Sequence, residues 1–140
     1  MEWIRRWRPQ VAFTHDPVWL LPPYLAHRDH RIVGRVTLDA IYPAARDPLS
    51  FFEHLASGLI PHAVEQVWLF ASAQADTFVD ISSGFDRKIA VRLAHESQTP
   101  DPQELPPHWR QRAAEIGAVA ALPLAESFMI PQYHLMLLHF

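Results

Sequence analysis

The chain contains no cysteine. Disulfide frameworks, thiolate metal sites and cysteine nucleophiles are therefore excluded, and the absence favours a cytoplasmic setting, where disulfides are rare. Lysine is represented by Lys88 alone, and only 4 of the 140 residues are glycine. The sequence has no glycine-rich phosphate loop, no nucleophile elbow and no paired-histidine zinc helix. These absences argue against nucleotide hydrolysis and serine-hydrolase chemistry.

The sequence also lacks a strong charge excess and a long apolar run. The net charge of −3 and the pI near 6.3 offer no general attraction to phosphate backbones or to anionic lipid. Nucleic acid thus stays possible as a partner, but the composition gives no support for it. The longest stretch free of charged residues, 127–140, is shorter than the roughly 20 residues that span a bilayer. We therefore expect a cytoplasmic protein with no membrane span.

What the sequence does contain is typical of a folded protein. Its 140 residues fall in the size range of single domains, and 49% are hydrophobic while 19% are charged. No internal repeat is present, and the one clear change in composition is the polar, proline-rich stretch 95–107, which we interpret as a loop. The sequence predicts one domain over residues 1–140.

Two main helices are indicated by the residues at their ends. The first begins at Asp47-Pro48, an N-cap acceptor followed by proline, and covers 49–57. The second follows Pro106-Pro107 and ends near Gly117, because glycine suits the left-handed residue after a helix. We expect both helices to pack on a sheet.

Strands are indicated by alternating or continuous apolar residues. The longest alternation covers 32–42, and apolar residues of both parities predict a central strand over 64–71. The other predicted strands are 18–21, 77–82, 88–93, 118–124 and 132–140, of which 77–82 and 88–93 form a hairpin. The sequence thus predicts an α/β fold, α+β-like in its element order, with one mixed β-sheet and two main helices packed on it.

The tightest histidine group is His27-Arg28-Asp29-His30. Its imidazole and carboxylate donors suit zinc or a similar divalent ion. The spacing is not specific to a metal site, however, and a loop that follows two prolines more often carries such side chains in solvent. We interpret this group as surface residues.

Asp16 and Asp39 are the stronger candidates for a metal site. Asp16 stands at the head of one predicted strand, and Asp39 lies on the polar face of the next. Two carboxylates on neighbouring strands can hold a hard divalent cation, which lowers the pKa of bound water and clamps a phosphodiester. The sequence therefore predicts Asp16 and Asp39 as metal ligands.

Residues 16–70 resemble the PD-(D/E)XK nuclease superfamily, in particular its small restriction-endonuclease-like members. The resemblance rests on Asp16-Pro17 in reversed order, on Asp39 to Pro43, on the predicted helix 49–57 and on the stretch Glu65 to Phe70. It implies that Asp16 and Asp39 bind Mg²⁺ or Mn²⁺ for cleavage of nucleic acid. The catalytic lysine of the superfamily has no counterpart at Ile41, so the resemblance implies a degenerate enzyme.

With no complete catalytic set in view, we predict a non-catalytic accessory or protein-interaction domain, with no cofactor and no identified catalytic residue. The apolar segment 132–140 is predicted to pair with a protein partner or with a second copy, which would make the protein a subunit of a larger assembly. Two alternatives stay open. One is the divalent-metal-dependent nuclease, and the other is a ferredoxin-like βαββαβ interaction module over 32–124.

Overall fold

The computed structural model describes residues 1–18 and 27–131. The predicted strand 132–140 lies outside these residues, as does the predicted strand 18–21 except for Val18. The helices are α1 (Glu2–Trp7), α2 (Arg28–Asp39), α3 (Phe52–Ala56), α4 (Phe85–Leu93) and α5 (Leu105–Val119). The strands are β1 (Val11–His15), β2 (Gln66–Phe70), β3 (Thr77–Asp80) and β4 (Ala125–Met129). Short helical turns occupy Ala40–Ala44, Ser82–Gly84 and Glu96–Gln98.

The four described strands form one mixed sheet in the order β1-β2-β4-β3. β1 runs parallel to β2, with Val11 opposite Gln66 and His15 opposite Phe70. β2 runs antiparallel to β4, with Phe70 opposite Phe128. The predicted fold class, α/β with one mixed sheet and helices, is confirmed. Because β1 and β2 are parallel, their carboxyl ends lie at the same edge of the sheet, where polar residues can be gathered.

The chain has two compact units, of which the first contains Met1–Ala75 and, among the described residues, 128–131. Its buried core is the group Ile41, Val64, Val67 and Leu69. The alternate residues of β2, Val67 and Leu69, face this core, as expected for a strand whose side chains alternate between two faces.

A buried arginine organises the loop that follows α2 in this unit. Arg5 of α1 is only 2% exposed. Its guanidinium donates five hydrogen bonds of 2.7–3.5 Å, all to main-chain carbonyl oxygens. The acceptors are Ala44, Ala45, Asp47, Ser50 and Phe51. A short irregular segment is thereby held by one side chain, which satisfies carbonyl groups that regular structure would otherwise pair.

The second unit contains Asp76–Ser127 and has its own core. The buried residues of this core are Phe85 and Ile89 of α4, Ala113 of α5, and Leu124. Gly117 lies inside α5, where a Cβ atom would come within 2.4 Å of the Leu122 carbonyl oxygen. The expected helix end at Gly117 is therefore wrong, because this glycine serves close packing inside the helix. The prediction of one domain over 1–140 stays a prediction.

The predicted strand 32–42 is wrong, since most of it is helix α2. The helix begins after its N-cap His27, whose Nδ1 atom accepts a hydrogen bond of 3.2 Å from the main-chain N–H of Asp29. Gly34 is buried against the end of β1, and a Cβ atom there would lie 2.4 Å from the carbonyl oxygen of His15. The close approach of helix and strand explains a glycine in mid-helix, where it otherwise costs stability.

Two further predicted strands are also wrong. The segment 88–93 belongs to α4, so the predicted hairpin does not form, and α5 continues to Val119. The strand expected over 118–124 is found later, as β4 over Ala125–Met129. A ferredoxin-like order over 32–124 is therefore wrong as well, because that range contains only two described strands, β2 and β3.

Other elements are where the sequence predicts them. β2 and β3 fall inside the predicted ranges 64–71 and 77–82, and α5 follows the predicted second helix for most of its length. Asp47 accepts hydrogen bonds from the Leu49 N–H and the Ser50 hydroxyl, and the helix itself begins later, at Phe52. No helix in residues 1–18 or 27–131 combines the length and hydropathy that a membrane-crossing segment requires.

Candidate functional site

Three histidines come together where β1 ends and α2 begins. His15 is the last residue of β1, and His30 lies in the first turn of α2, three residues after the N-cap residue His27. The rings of His15 and His30 are stacked, with centroids 4.0 Å apart and an angle of 9° between their planes. The ring of His27 meets that of His30 edge-on at 5.8 Å.

Phe70 extends this row of rings on the side of β2. Its ring lies 4.3 Å from that of His15, at an angle of 62°. The contact follows from the register of the sheet, in which His15 and Phe70 are direct partners on adjacent parallel strands. We call the row Phe70, His15, His30 and His27 the ring ladder. It places imidazole groups at the carboxyl edge of β1, the edge at which sites in α/β proteins are commonly found.

His27 has a defined hydrogen-bonding state. Because its Nδ1 atom accepts the Asp29 N–H, that nitrogen carries no proton in the neutral ring, and the proton is on Nε2. The Asp29 carboxylate lies 3.7 Å from the same Nδ1 atom, too far for a hydrogen bond. His27 therefore offers an N–H donor on the far side of its ring.

His15 is partly buried, as are His30 and Phe70 of the ladder. Its Nδ1 atom is buried and has no hydrogen-bond partner among the described residues. Desolvation by burial, and then the nearby His30, lower the pKa of His15 below its usual value. His15 is thus held as a neutral ring near neutral pH, with one nitrogen that the described residues leave without a partner.

Asp16 directly follows His15 and is fixed by two hydrogen bonds. Its carboxylate accepts the Ser72 hydroxyl at 2.6 Å and the Val18 N–H at 2.9 Å. Ser72 lies just beyond β2, so this contact links the carboxyl ends of the two parallel strands. The predicted site residue Asp16 therefore belongs to the same edge of the sheet as the ring ladder.

Asp39 has different surroundings. It is the last residue of α2, nine residues beyond His30, which corresponds to about 13 Å along a helix axis. Its carboxylate lies 3.9 Å from the Arg35 guanidinium, and it lines a pocket of about 460 Å³ with apolar residues such as Leu38 and Ile41. The structure thus gives Asp16 and Asp39 separate partners, and their joint role as metal ligands stays a prediction.

The donors around the ring ladder fit a divalent metal by their chemistry. Imidazole nitrogen and carboxylate oxygen are zinc ligands, and His27, His30, Asp16 and Asp29 supply both kinds of atom near this edge of the sheet. Within residues 1–18 and 27–131, however, no three such side chains converge as a ligand set. The described residues therefore supply part of a donor set.

Sequence reasoning recognised His27, Asp29 and His30 as metal-type donors but interpreted them as surface residues, and it did not single out His15 or Ser72. The signal for His15 was present. A short apolar segment, Val11 to Phe13, leads directly into Thr14, His15 and Asp16, and polar residues at the carboxyl end of a strand commonly belong to a site.

Comparison with known proteins gives one sequence relative and several structural ones. A diacetylchitobiose deacetylase of Thermococcus kodakarensis is 35% identical over 98 residues, which are 70% of this chain and 35% of the relative. The sequence relative is a deacetylase. The N,N'-diacetylchitobiose deacetylase of Pyrococcus horikoshii, solved with an inhibitor, matches with a TM-score of 0.80 and 26% identity over 92% of this chain. No family model matches the sequence.

The fold recurs in a conserved protein from Thermus thermophilus, with a TM-score of 0.70 and 22% identity over 93% of this chain. The chain covers 48% of the Pyrococcus chain and 55% of the Thermus chain. It therefore spans about half the length of these structures and about a third of the curated relative.

These findings correct the functional predictions. The resemblance of residues 16–70 to the PD-(D/E)XK nucleases is wrong, because the sequence relative is a diacetylchitobiose deacetylase and the fold is similar to part of another one. The expectation of a non-catalytic interaction domain is wrong for the same reason, since the Thermococcus and Pyrococcus proteins are named as deacetylases, which are enzymes. The two alternative predictions, a nuclease and a ferredoxin-like interaction module, are wrong as well.

Proposed function

We propose that this chain carries part of the active site of a hydrolase that removes the acetyl group from an N-acetylated amino sugar. The observation that supports this is the ring ladder at the carboxyl edge of β1, in a chain that is 35% identical to a diacetylchitobiose deacetylase over 98 residues. The name of that relative supplies the substrate class, an acetamide on a small chitin-derived sugar.

Deacetylases similar to this chain are typically metal-dependent. His30 is the residue that would hold a divalent ion here, and zinc matches its donor atom. Because no three donors converge within residues 1–18 and 27–131, Asp16 and Asp29 stay candidates, and these residues supply only part of the ligand set. When bound, the ion would supply Lewis-acid polarisation of the acetamide carbonyl. Asp39 is retained as a weaker candidate ligand on the basis of the sequence. The expectation of Mg²⁺ or Mn²⁺ depended on the nuclease alternative, and it falls with that alternative.

His27 would act on the oxygen of the acetamide. Its Nδ1 atom is occupied by the Asp29 N–H, so the Nε2–H group is the available donor. A donor that is already oriented stabilises negative charge as it develops on a carbonyl oxygen during attack by water. Asp29 would assist by fixing the orientation of His27 through its main chain.

The test is release of acetate from N,N'-diacetylchitobiose by the purified chain with Zn²⁺ present. We expect His27→Ala to lower kcat/KM by about 10²-fold or more, as does loss of one oxyanion donor in other enzymes, and His30→Ala to lower the affinity for Zn²⁺. His108→Ala, on the exposed face of α5, is the matched control and should leave both values unchanged. Equal acetate release by all proteins and by a protein-free blank would remove the proposal.

Two further proposals come from the sequence. A cytoplasmic location is inferred from the absence of cysteine. Association through the apolar segment 132–140, with a second copy or another protein, remains a proposal whose test is described in the Discussion.

A further inference from the structure

We propose that His15 is a positioning residue, whose ring face fixes the orientation of the His30 ring in the candidate site. The inference deepens the proposed function and rests on it for the role of His30 as a ligand. The observation that carries it is the parallel stacking of the two rings at 4.0 Å, backed by the ring of Phe70.

The stacking restricts His30 because a flat neighbour at van der Waals distance covers one face of its ring. An imidazole turns about χ2 with few intrinsic preferences, so packing against its face is what selects one orientation. His27 contacts the same ring edge-on at 5.8 Å, a geometry that covers less of the ring face than stacking does. The parallel contact from His15 therefore sets the plane of the His30 ring.

His15 is itself held firmly enough to perform this role. It ends β1, where its partner across the sheet is Phe70, and the ring of Phe70 abuts its own. Its carbonyl oxygen lies against Gly34 of α2, so the main chain at His15 and the helix that carries His30 are in direct contact. The two stacked rings are thus carried by β1 and α2 at the place where these two elements are in contact.

The ring face, and not the Nδ1 atom, is the part of His15 to which we assign this role. The buried Nδ1 atom has no hydrogen-bond partner among the described residues, so no hydrogen bond from it accounts for the position of His30.

The experiment separates the ring face from the ring nitrogens. His15→Phe keeps a flat ring and removes both nitrogens, whereas His15→Leu fills the space without a ring and His15→Ala empties it. In the metal-free proteins, NMR follows the imidazole resonances of His30 and their NOE contacts to residue 15. Calorimetric titration with Zn²⁺ then measures affinity, and circular dichroism checks that each variant is folded.

We expect His15→Phe to keep a single set of His30 resonances and to bind Zn²⁺ within about two-fold of the unmodified chain. His15→Leu and His15→Ala should broaden or split those resonances and weaken Zn²⁺ binding about ten-fold, the usual effect of losing a residue that orients a metal ligand. Since His15→Leu preserves side-chain volume, it maintains the test if His15→Ala does not fold.

Each contrary result has a distinct meaning. If His30 is as ordered in His15→Leu as in the unmodified chain, or if His15→Phe behaves like His15→Leu, the positioning role of the ring face is overturned. If the unmodified chain binds no Zn²⁺ although its His30 resonances follow the expected pattern, the proposed function fails while the positioning of His30 by His15 is supported.

Discussion

Gly34 of α2 lies against the main-chain carbonyl oxygen of His15, so closely that a Cβ atom at Gly34 would be 2.4 Å from it. Replacement by alanine must push the helix away from the strand, because the opposing atom belongs to the main chain. We expect Gly34→Ala to destabilise the protein by about 1–3 kcal/mol, the usual range for overpacking. Chemical denaturation measures this change.

Gly84 provides the matched control for this substitution. A Cβ atom there meets nothing within 4 Å, and its φ of −101° is accessible to any residue. Gly84→Ala should therefore leave the free energy of unfolding unchanged or raise it slightly. Equal destabilisation by the two alanines would show that the contact between α2 and β1 is not what requires Gly34.

Arg5 should be essential to the stability of the first unit. Its removal leaves carbonyl groups of the loop 44–51 without their donor, and buried polar groups without partners are costly. We expect Arg5→Met to lower the free energy of unfolding by about 3 kcal/mol. Its neighbour Arg6 is half exposed and pairs with Glu2 in the same helix turn, so Arg6→Met should cost less than about 1 kcal/mol. Similar values for the two variants would refute the role of Arg5.

The ionisation of Asp47 should make part of the free energy of unfolding dependent on pH. The hydrogen bonds from the Leu49 N–H and then the Ser50 hydroxyl lower the pKa of Asp47. A carboxyl group whose pKa is lower in the folded state contributes stability above its unfolded pKa of about 4, and that stability is lost as the pH falls through the folded pKa. Urea denaturation between about pH 6 and about pH 3 should therefore show a smaller acid loss in Asp47→Asn than in the unmodified chain. Parallel curves for the two proteins would contradict the expectation.

The segment 132–140 should promote self-association if its apolar sequence pairs with another chain. Size-exclusion chromatography with light scattering can compare the full chain with one that ends at Ile130. We expect the full chain to form the larger species and the shortened chain to be monomeric. Monomers in both cases would exclude this segment as the means of association.

The part of the fold that the sequence predicts correctly is the part where local signals agree with packing. β2 is apolar on both faces, β3 carries the β-favouring residues Thr77, Phe78 and Val79, and α5 has prolines in its first turn. Each of these patterns is contained in a few neighbouring residues, so a single sequence is enough to recognise it. The elements that they predict are also enough to assign the fold class.

α2 and α4 were not predicted, and the reasons lie outside the segments themselves. In α2, β-branched residues such as Ile32 and Val36 favour a strand, and the N-cap is a histidine where serine or aspartate is usual. What makes the segment helical is its packing on β1, which requires Gly34. In α4, the spacing of Phe85, Ile89 and Leu93 at four residues indicates a helix, but the shorter range 88–93 also satisfies a strand alternation.

The candidate site was only partly accessible from the sequence. Asp16 and the group His27 to His30 were singled out, but their relation depends on β1, which the sequence analysis did not predict, and on the helical state of α2. Placing 32–42 in a strand brought Asp39 beside Asp16. In the structure this segment belongs to α2, which begins at Arg28, and the first turn of that helix stacks His30 on His15.

The hydrogen bonds of Arg5 join α1 to a loop that lies about 40 residues further along the chain. The two segments therefore form one structural unit, although the sequence separates them widely. Expression plasmids and fusions are thus better designed with α1 and this loop on the same polypeptide.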